Sequence, residues 1–313
     1  TTPILPDKVS EYIGIDITGV FHPLFALPSY FHDTRVDNCP PINGFYTVER
    51  GNRPTSLDSL LYPMALDLGV QFEFGSGLKP SDIRGLEPGT LIACGMSPEV
   101  YDMLDVPYLK WYGWISRGEI GFDARSWLWW DECITEYGYL SSVNNYYFDL
   151  LFSIEPVGKD ALEKYKDFMK RHEGVEHSEW HYGGGAVPMA DPNNPQLFRN
   201  GLIYCGTIAG YQDPFAWFGI TGALISGKIS AMAVSDPYKA QAEFARFSKY
   251  YKHAFYVKNY IWSPFLRPRV GLMEKLINTI GPERITKVMT ANIHEQRHIP
   301  YSIPGYAHLG ACY

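Results

Sequence analysis

The sequence predicts a mixed α/β (α+β) fold, and three observations carry that expectation. Two short apolar runs, at 90–93 and 202–205, each end beside a glycine and stand next to helical patterns. Buried strands alternating with helices read this way. Between residues 108 and 154, aromatic and β-branched side chains alternate with polar ones, the period of an antiparallel sheet. From Phe218 onward, small and apolar residues recur at helical spacing. At roughly 150 residues per domain, 313 residues make about two structural units.

The first 45 residues are rich in Pro, Gly and aromatics, without a clear period. Leu57, Leu60, Leu61, Met64 and Leu68 then follow helical spacing, with Gly69 as the stop and Pro63 as a kink. VQFEF (70–74) alternates like a strand, and 90–93 reads as a short buried strand ending at Cys94-Gly95. LKWYGWIS, SWLWWDECIT and YYFDLLFSI supply an antiparallel sheet with one face covered. The span 160–172 is a helix, with Asp160 as N-cap and Glu163 completing a capping box. A strand at 202–205 precedes a small-residue helix over 218–234, and 236–313 is a helical region with a Pro-rich tail.

Composition narrows the function classes. With 46% hydrophobic and 19% charged residues, the chain buries a sizeable core and is not disordered. Its net charge of −7 and lack of a basic run argue against a nucleic-acid binder. Aromatic residues reach 15%, which calls for large apolar surfaces against each other, a flat ligand or a membrane face. Cys39, Cys94, Cys133, Cys205 and Cys312 are odd in number and form no C-x-x-C pair, so they read as thiols in a reducing compartment. The sequence shows no signal peptide and no apolar stretch of membrane-spanning length, so the expected location is cytoplasmic.

The most informative segment is GLIYCGTIAGYQDPFAWFGITGALISGKISAMA (201–233). A strand runs into Gly206, a loop carries Asp213-Pro214, and Gly219-Ile220 opens a helix with small residues at Gly222, Ser226, Gly227 and Ser230. Free N–H groups at a helix N-terminus favour an electron-rich group, and small residues permit close backbone approach. The same glycines also suit a helix packed tightly on a sheet.

This segment resembles the second flavin-contacting motif of FAD-dependent oxidoreductases of the geranylgeranyl reductase and aromatic monooxygenase type. Three further stretches resemble that family in order: VERGNRPTSLDSLLYPMALDLGVQFEFG (48–75), TLIACGMS (90–97) and HYGGGAVPM (181–189). EYGYLSSVNNYYFDLLFSI (136–154) matches more loosely. The resemblance implies a partial FAD-binding domain of the glutathione-reductase type, discontinuous over 1–107 and 189–235. An antiparallel substrate sheet is inserted at 108–188, and C-terminal helices occupy 236–313. It implies FAD as cofactor, a small apolar substrate (an isoprenoid-like alkene or an aromatic), and Gly206, Thr207, Pro214, Gly219 and Ile220 as flavin-contacting positions. No catalytic side chain can be named.

Two departures qualify the resemblance. The G-x-G-x-x-G fingerprint that cradles the FAD pyrophosphate does not occur in the sequence. Thr207 stands for the family's Gly-Asp carboxylate and Cys94 for the acid of its Ala-Asp-Gly motif. Either a partner chain supplies the dinucleotide-binding unit, or a homo-oligomer covers the gap, or the chain is an interaction subunit that keeps the fold without flavin. A peripheral membrane contact is compatible with the aromatic content. A different chemistry, zinc hydrolysis, is suggested by His294-Glu295-Gln-Arg-His298, although Pro300 closes any helix there. Trp111, Trp114, Trp127, Trp129 and Trp130 could line an apolar pocket or form the covered face of a sheet.

Overall fold

The computed structural model describes residues 2–287 except 5, 25–26, 38–44, 84, 121–124, 189–190 and 215–216. Strands β1 (Thr2–Pro3), β2 (Phe21–Leu24), β3 (Pro28–Phe31), β4 (Thr34–Asp37) and β5 (Phe45–Val48) come first, with helix α1 (Pro6–Ile13). Helices α2 (Leu57–Asp67), α3 (Pro80–Ile83) and α4 (Pro98–Met103) surround strand β6 (Leu91–Ile92). Four long strands follow: β7 (Leu109–Glu119), β8 (Arg125–Trp130), β9 (Gly138–Val143) and β10 (Tyr146–Ser153). Helix α5 (Lys159–Glu173) leads to β11 (His181–Val187), β12 (Phe198–Arg199) and β13 (Leu202–Tyr204). The C-terminal part is α6 (Ile220–Ser235), α7 (Pro237–Val257), a π-helical stretch (Lys258–Leu266) and α8 (Val270–Ile280).

A seven-stranded sheet in the order β11-β7-β10-β9-β8-β3-β4 forms the centre. All its pairings are antiparallel except β3 on β8. Both faces are covered, where alternation suggested one. Trp127, Trp129, Leu140 and Leu151 turn towards Leu162, Tyr165 and Phe168 of α5. Trp111, Leu128, Trp130 and Phe152 pack on the other face with Leu27, Val187 and Val270. The tryptophans are thus divided between two cores by the period of the strands. Helix α5 begins one residue before Asp160: Gly158 occupies the cap position, and Asp160 lies in the first turn, where its charge complements the dipole. Glu163 accepts from Lys166 instead of reaching back to the cap.

The second layer is the parallel pair β6–β13, with β12 beside β13. Helices α6 and α7 cover it through Ile225, Ile229, Phe244 and Phe247. Strand β6 is an edge: no described strand pairs on its far side, and Leu91 is 40% exposed. Helix α2 forms as its pattern predicts, with Ser56 accepting from Ser59 N–H at 3.0 Å. VQFEF, however, forms no strand, because no neighbouring strand offers it hydrogen bonds; Val70, Phe72 and Phe74 lie exposed. Among the described residues no helix is long and apolar enough to cross a membrane.

Candidate functional site

The junction between β13 and α6 brings several of the expected residues together. Leu202, Ile203 and Tyr204 are all buried, and the chain leaves the strand at Gly206, whose φ of +68° suits glycine. A single 3₁₀ turn, Gly206–Ala209, contains Thr207. A Cβ built on Gly219 would lie 3.8 Å from Thr207 Oγ1, so these two positions are neighbours and the space at Gly219 is open. Gly219 caps α6 without a side-chain hydrogen bond, leaving the first N–H groups of a 16-residue helix uncapped by any side chain there. Ile220 packs against the small β1–β5–β2 sheet.

The small-residue stripe of α6 has a packing role. A Cβ on Gly222 would lie 1.9 Å from the Tyr211 carbonyl oxygen, so only glycine fits. Ser226 Oγ accepts from Gly206 N–H at 2.7 Å, and Ser230 donates to the Tyr204 carbonyl at 3.0 Å. Gly227 faces open space. The helix is therefore seated directly on β13 and its turn, which fixes Gly219 relative to Gly206.

The loop between them is held from three sides. Asp213 N–H donates to the Phe218 carbonyl, and Trp217 N–H to the Asp213 carbonyl, both at 2.9 Å. Tyr250 of α7 donates to the Asp213 carboxylate. Lys258 places its ammonium 4.9 Å from the centre of the Trp217 ring and 2.6 Å from Glu136, at the end of the loop into β9. Burial holds the Lys258 ammonium below its ordinary pKa, and Glu136 only partly restores it. Pro214 is buried and lines a shallow crevice, no larger than a water molecule needs, with Pro188, Pro195, Gln212 and Tyr251. Phe152 packs edge-on against both Trp217 and Trp111.

Three buried polar atoms around this loop have no hydrogen-bond partner among the described residues: Gln212 Oε1, Trp111 Nε1 and Trp217 Nε1. An unmatched buried group costs about 1–3 kcal/mol. The open space at Gly219, at the start of α6, leaves room for a group to approach the helix N-terminus. Cys94, by contrast, gives no charge here: burial pushes its thiol up to about 11.

Other clusters have structural partners. Asp149 is buried under α5, accepting from Tyr165 at 2.9 Å and lying 3.2 Å from His177 Nε2. It projects from the β10 face opposite Phe152. His32, Asp131 and Glu132 bring ligand-type atoms within 4.8 Å of one another, but Lys164 already sits 2.6 Å from Asp131. His294, Glu295 and His298 lie outside the described residues. Sequence reasoning missed the pairing of Glu136 with Lys258, which stand 122 positions apart. Gln212 stood in the quoted motif, but nothing local marked it as buried.

No family model matches the sequence, and no curated protein matches it. Solved structures do. CmlS, a flavin-dependent halogenase, superposes with a TM-score of 0.52 at 12% identity, over 98% of this chain and 68% of its own. Klebsiella pneumoniae HpxO, complexed with FAD and uric acid, gives 0.50 at 13% identity, over 91% and 85%. A geranylgeranyl bacteriochlorophyll reductase-like protein of Thermoplasma acidophilum gives 0.48 at 14%, over 99% and 85%, a weaker likeness. Across nearly its whole length, the chain has the fold of the FAD-dependent oxidoreductases.

Proposed function

We propose that this chain belongs to a flavin-dependent oxidoreductase acting on a small apolar substrate, an isoprenoid-like alkene or an aromatic. The observation that carries the reading is the Gly206–Ile220 loop, with its uncapped helix start and the open space at Gly219. Gly206, Thr207, Pro214, Gly219 and Ile220 are the positions assigned to flavin contact. When bound, flavin supplies the electron-transfer chemistry. The chain's own residues orient and shield: Phe152, Trp111 and Trp217 form an apolar wall, and Lys258 holds Trp217 in place.

The unpaired edge of β6 and the exposed Leu66, Leu68, Phe72 and Phe74 favour a partner for the pyrophosphate side, either another chain bearing a Gly-rich strand–turn–helix or a second copy. A second reading, a flavin-less interaction subunit, draws support from Thr207 and the uncharged Cys94 at positions where the family resemblance leads one to expect acids. The visible spectrum of purified protein separates the two. Absorption at about 370 and 450 nm supports the enzyme, and a colourless protein that takes up no added flavin supports the interaction subunit.

A further inference from the structure

We infer that the outer face of α8, with the π-helical stretch before it, rests on an anionic lipid surface. Such a contact needs no flavin and lies outside the Gly206–Ile220 loop.

Helix α8 is apolar on two sides. Its inner side is seated on the central sheet: Val270 and Met273 join the cluster of Leu128 and Trp130, Ile277 is buried, and Glu274 and Asn278 bond Thr34. Its outer side carries Leu272, Leu276 and Ile280, four positions apart and 62%, 56% and 39% exposed. Residues four apart share one helix face, so these three form a continuous stripe. A helix that met only water on that side would carry polar residues there. Just before α8, Phe265 and Leu266 are exposed. Arg269 donates to the carbonyls of Pro264 and Phe265, which keeps this segment beside the first turn of the helix. Tyr256 and Tyr260 are exposed as well, with ring centres 5.8 Å apart.

Charge identifies the occupant. Residues 236–287 hold ten Lys and Arg against four Asp and Glu, although the chain as a whole holds 27 against 34. Lys258 and Arg267 are buried, one on Glu136 and the other on backbone carbonyls. Lys249, Lys252, Arg269, Lys275, Arg284 and Lys287 are exposed and form no ion pair among the described residues. Lys275 stands on α8 beside the Leu272–Leu276 stripe. Apolar side chains accompanied by tyrosines and unpaired bases suit the boundary between acyl chains and anionic headgroups. The acidic remainder of the chain is turned away by the same field, which orients the molecule. The exposed cluster of Tyr62, Phe72 and Phe74 makes the contrast. Residues 57–75 contain Asp58, Asp67 and Glu73 and no Lys or Arg, so anionic lipid repels that surface.

The test is flotation of the full chain with vesicles of phosphatidylcholine alone or mixed with phosphatidylglycerol. Wild-type protein should bind the mixed vesicles at about 0.1 M salt, and about tenfold more weakly at about 1 M salt or on phosphatidylcholine alone. Lys275→Glu should weaken binding to the mixed vesicles about tenfold, and Leu272→Ser with Leu276→Ser by at least as much. These side chains are exposed, so melting temperatures should stay within error. Leu68→Ser with Phe74→Ser should leave vesicle binding unchanged. Absence of binding to the mixed vesicles, equal binding to both kinds, or binding that survives Leu272→Ser with Leu276→Ser would overturn the lipid contact. A vesicle-free mass that falls to one chain in that double variant would overturn it too, since the face would then join two copies. The wild-type comparison needs no variant, so a misfolded mutant cannot obscure it.

Discussion

At the scale of single residues, the site is set by which glycines are required for packing and which are open to a ligand. Gly222 is required: a methyl group there would enter the Tyr211 carbonyl, so Gly222→Ala should cost about 1–3 kcal/mol in urea unfolding. Gly219 has an ordinary φ of −113° and open space around it. Gly219→Val should leave the melting temperature within error and yet strip the flavin, and full flavin occupancy in that variant would contradict the assignment. Lys258 and Glu136 show the opposite behaviour. Lys258→Met leaves the Glu136 carboxylate buried without its cation and should destabilise by about 3–5 kcal/mol. The double change with Glu136→Gln should recover most of that loss, as measured in one unfolding series.

At the scale of elements, α8 is tied to the sheet by a titratable clip. His32 in the β3–β4 turn bonds Glu274 of α8 at 2.9 Å through Nδ1 and Glu132 through Nε2, with Asp131 3.6 Å from Nε2 and Lys164 on Asp131. Burial opposes the imidazolium, but bonds to Glu132 and Glu274 outweigh it, so the His32 pKa stands above its ordinary value. A raised imidazole pKa contributes stability that is complete below pH about 6.5 and is lost as pH rises through the folded value. The protection of amides in residues 270–280, corrected for base-catalysed intrinsic exchange, should therefore fall as pH rises above about 6.5. His32→Gln should remove that dependence; an unchanged pH profile in the variant would exclude the clip. Elsewhere, element boundaries follow local rules with small shifts, as in the start of α5 at Lys159. VQFEF is the exception, since alternation specifies which side chains share a face but not whether another strand lies alongside.

At the scale of the whole molecule, one surface stands out. Tyr62, Phe72 and Phe74 cluster with ring centres 4.7–6.0 Å apart, and Phe74 is 76% and Leu68 84% exposed. Exposed apolar clusters of this kind mark association surfaces. Light scattering at micromolar concentration should give a mass above the 35.6 kDa of one chain, and Leu68→Ser with Phe74→Ser should lower it. A monomer of 35.6 kDa that binds FAD with full occupancy would show that no partner is needed.

The sequence by itself determined the elements whose information is local. Ser56 capping α2, the alternation that builds β7 to β10 and the small residues of α6 were all legible, because period and capping depend on neighbours a few positions away. The β13–α6 junction was legible too, since strand, turn and helix are consecutive there. Only the tertiary structure decided that residues 28–37 join the central sheet, that Trp111 and Trp127 serve opposite faces, and that Lys258 meets Glu136. It also decided which glycines are packing sites and which polar atoms remain unmatched. The sheet partner of residues 28–37 and the Lys258–Glu136 pair depend on chain segments more than 90 residues apart competing to be buried against one another. No local period encodes that competition.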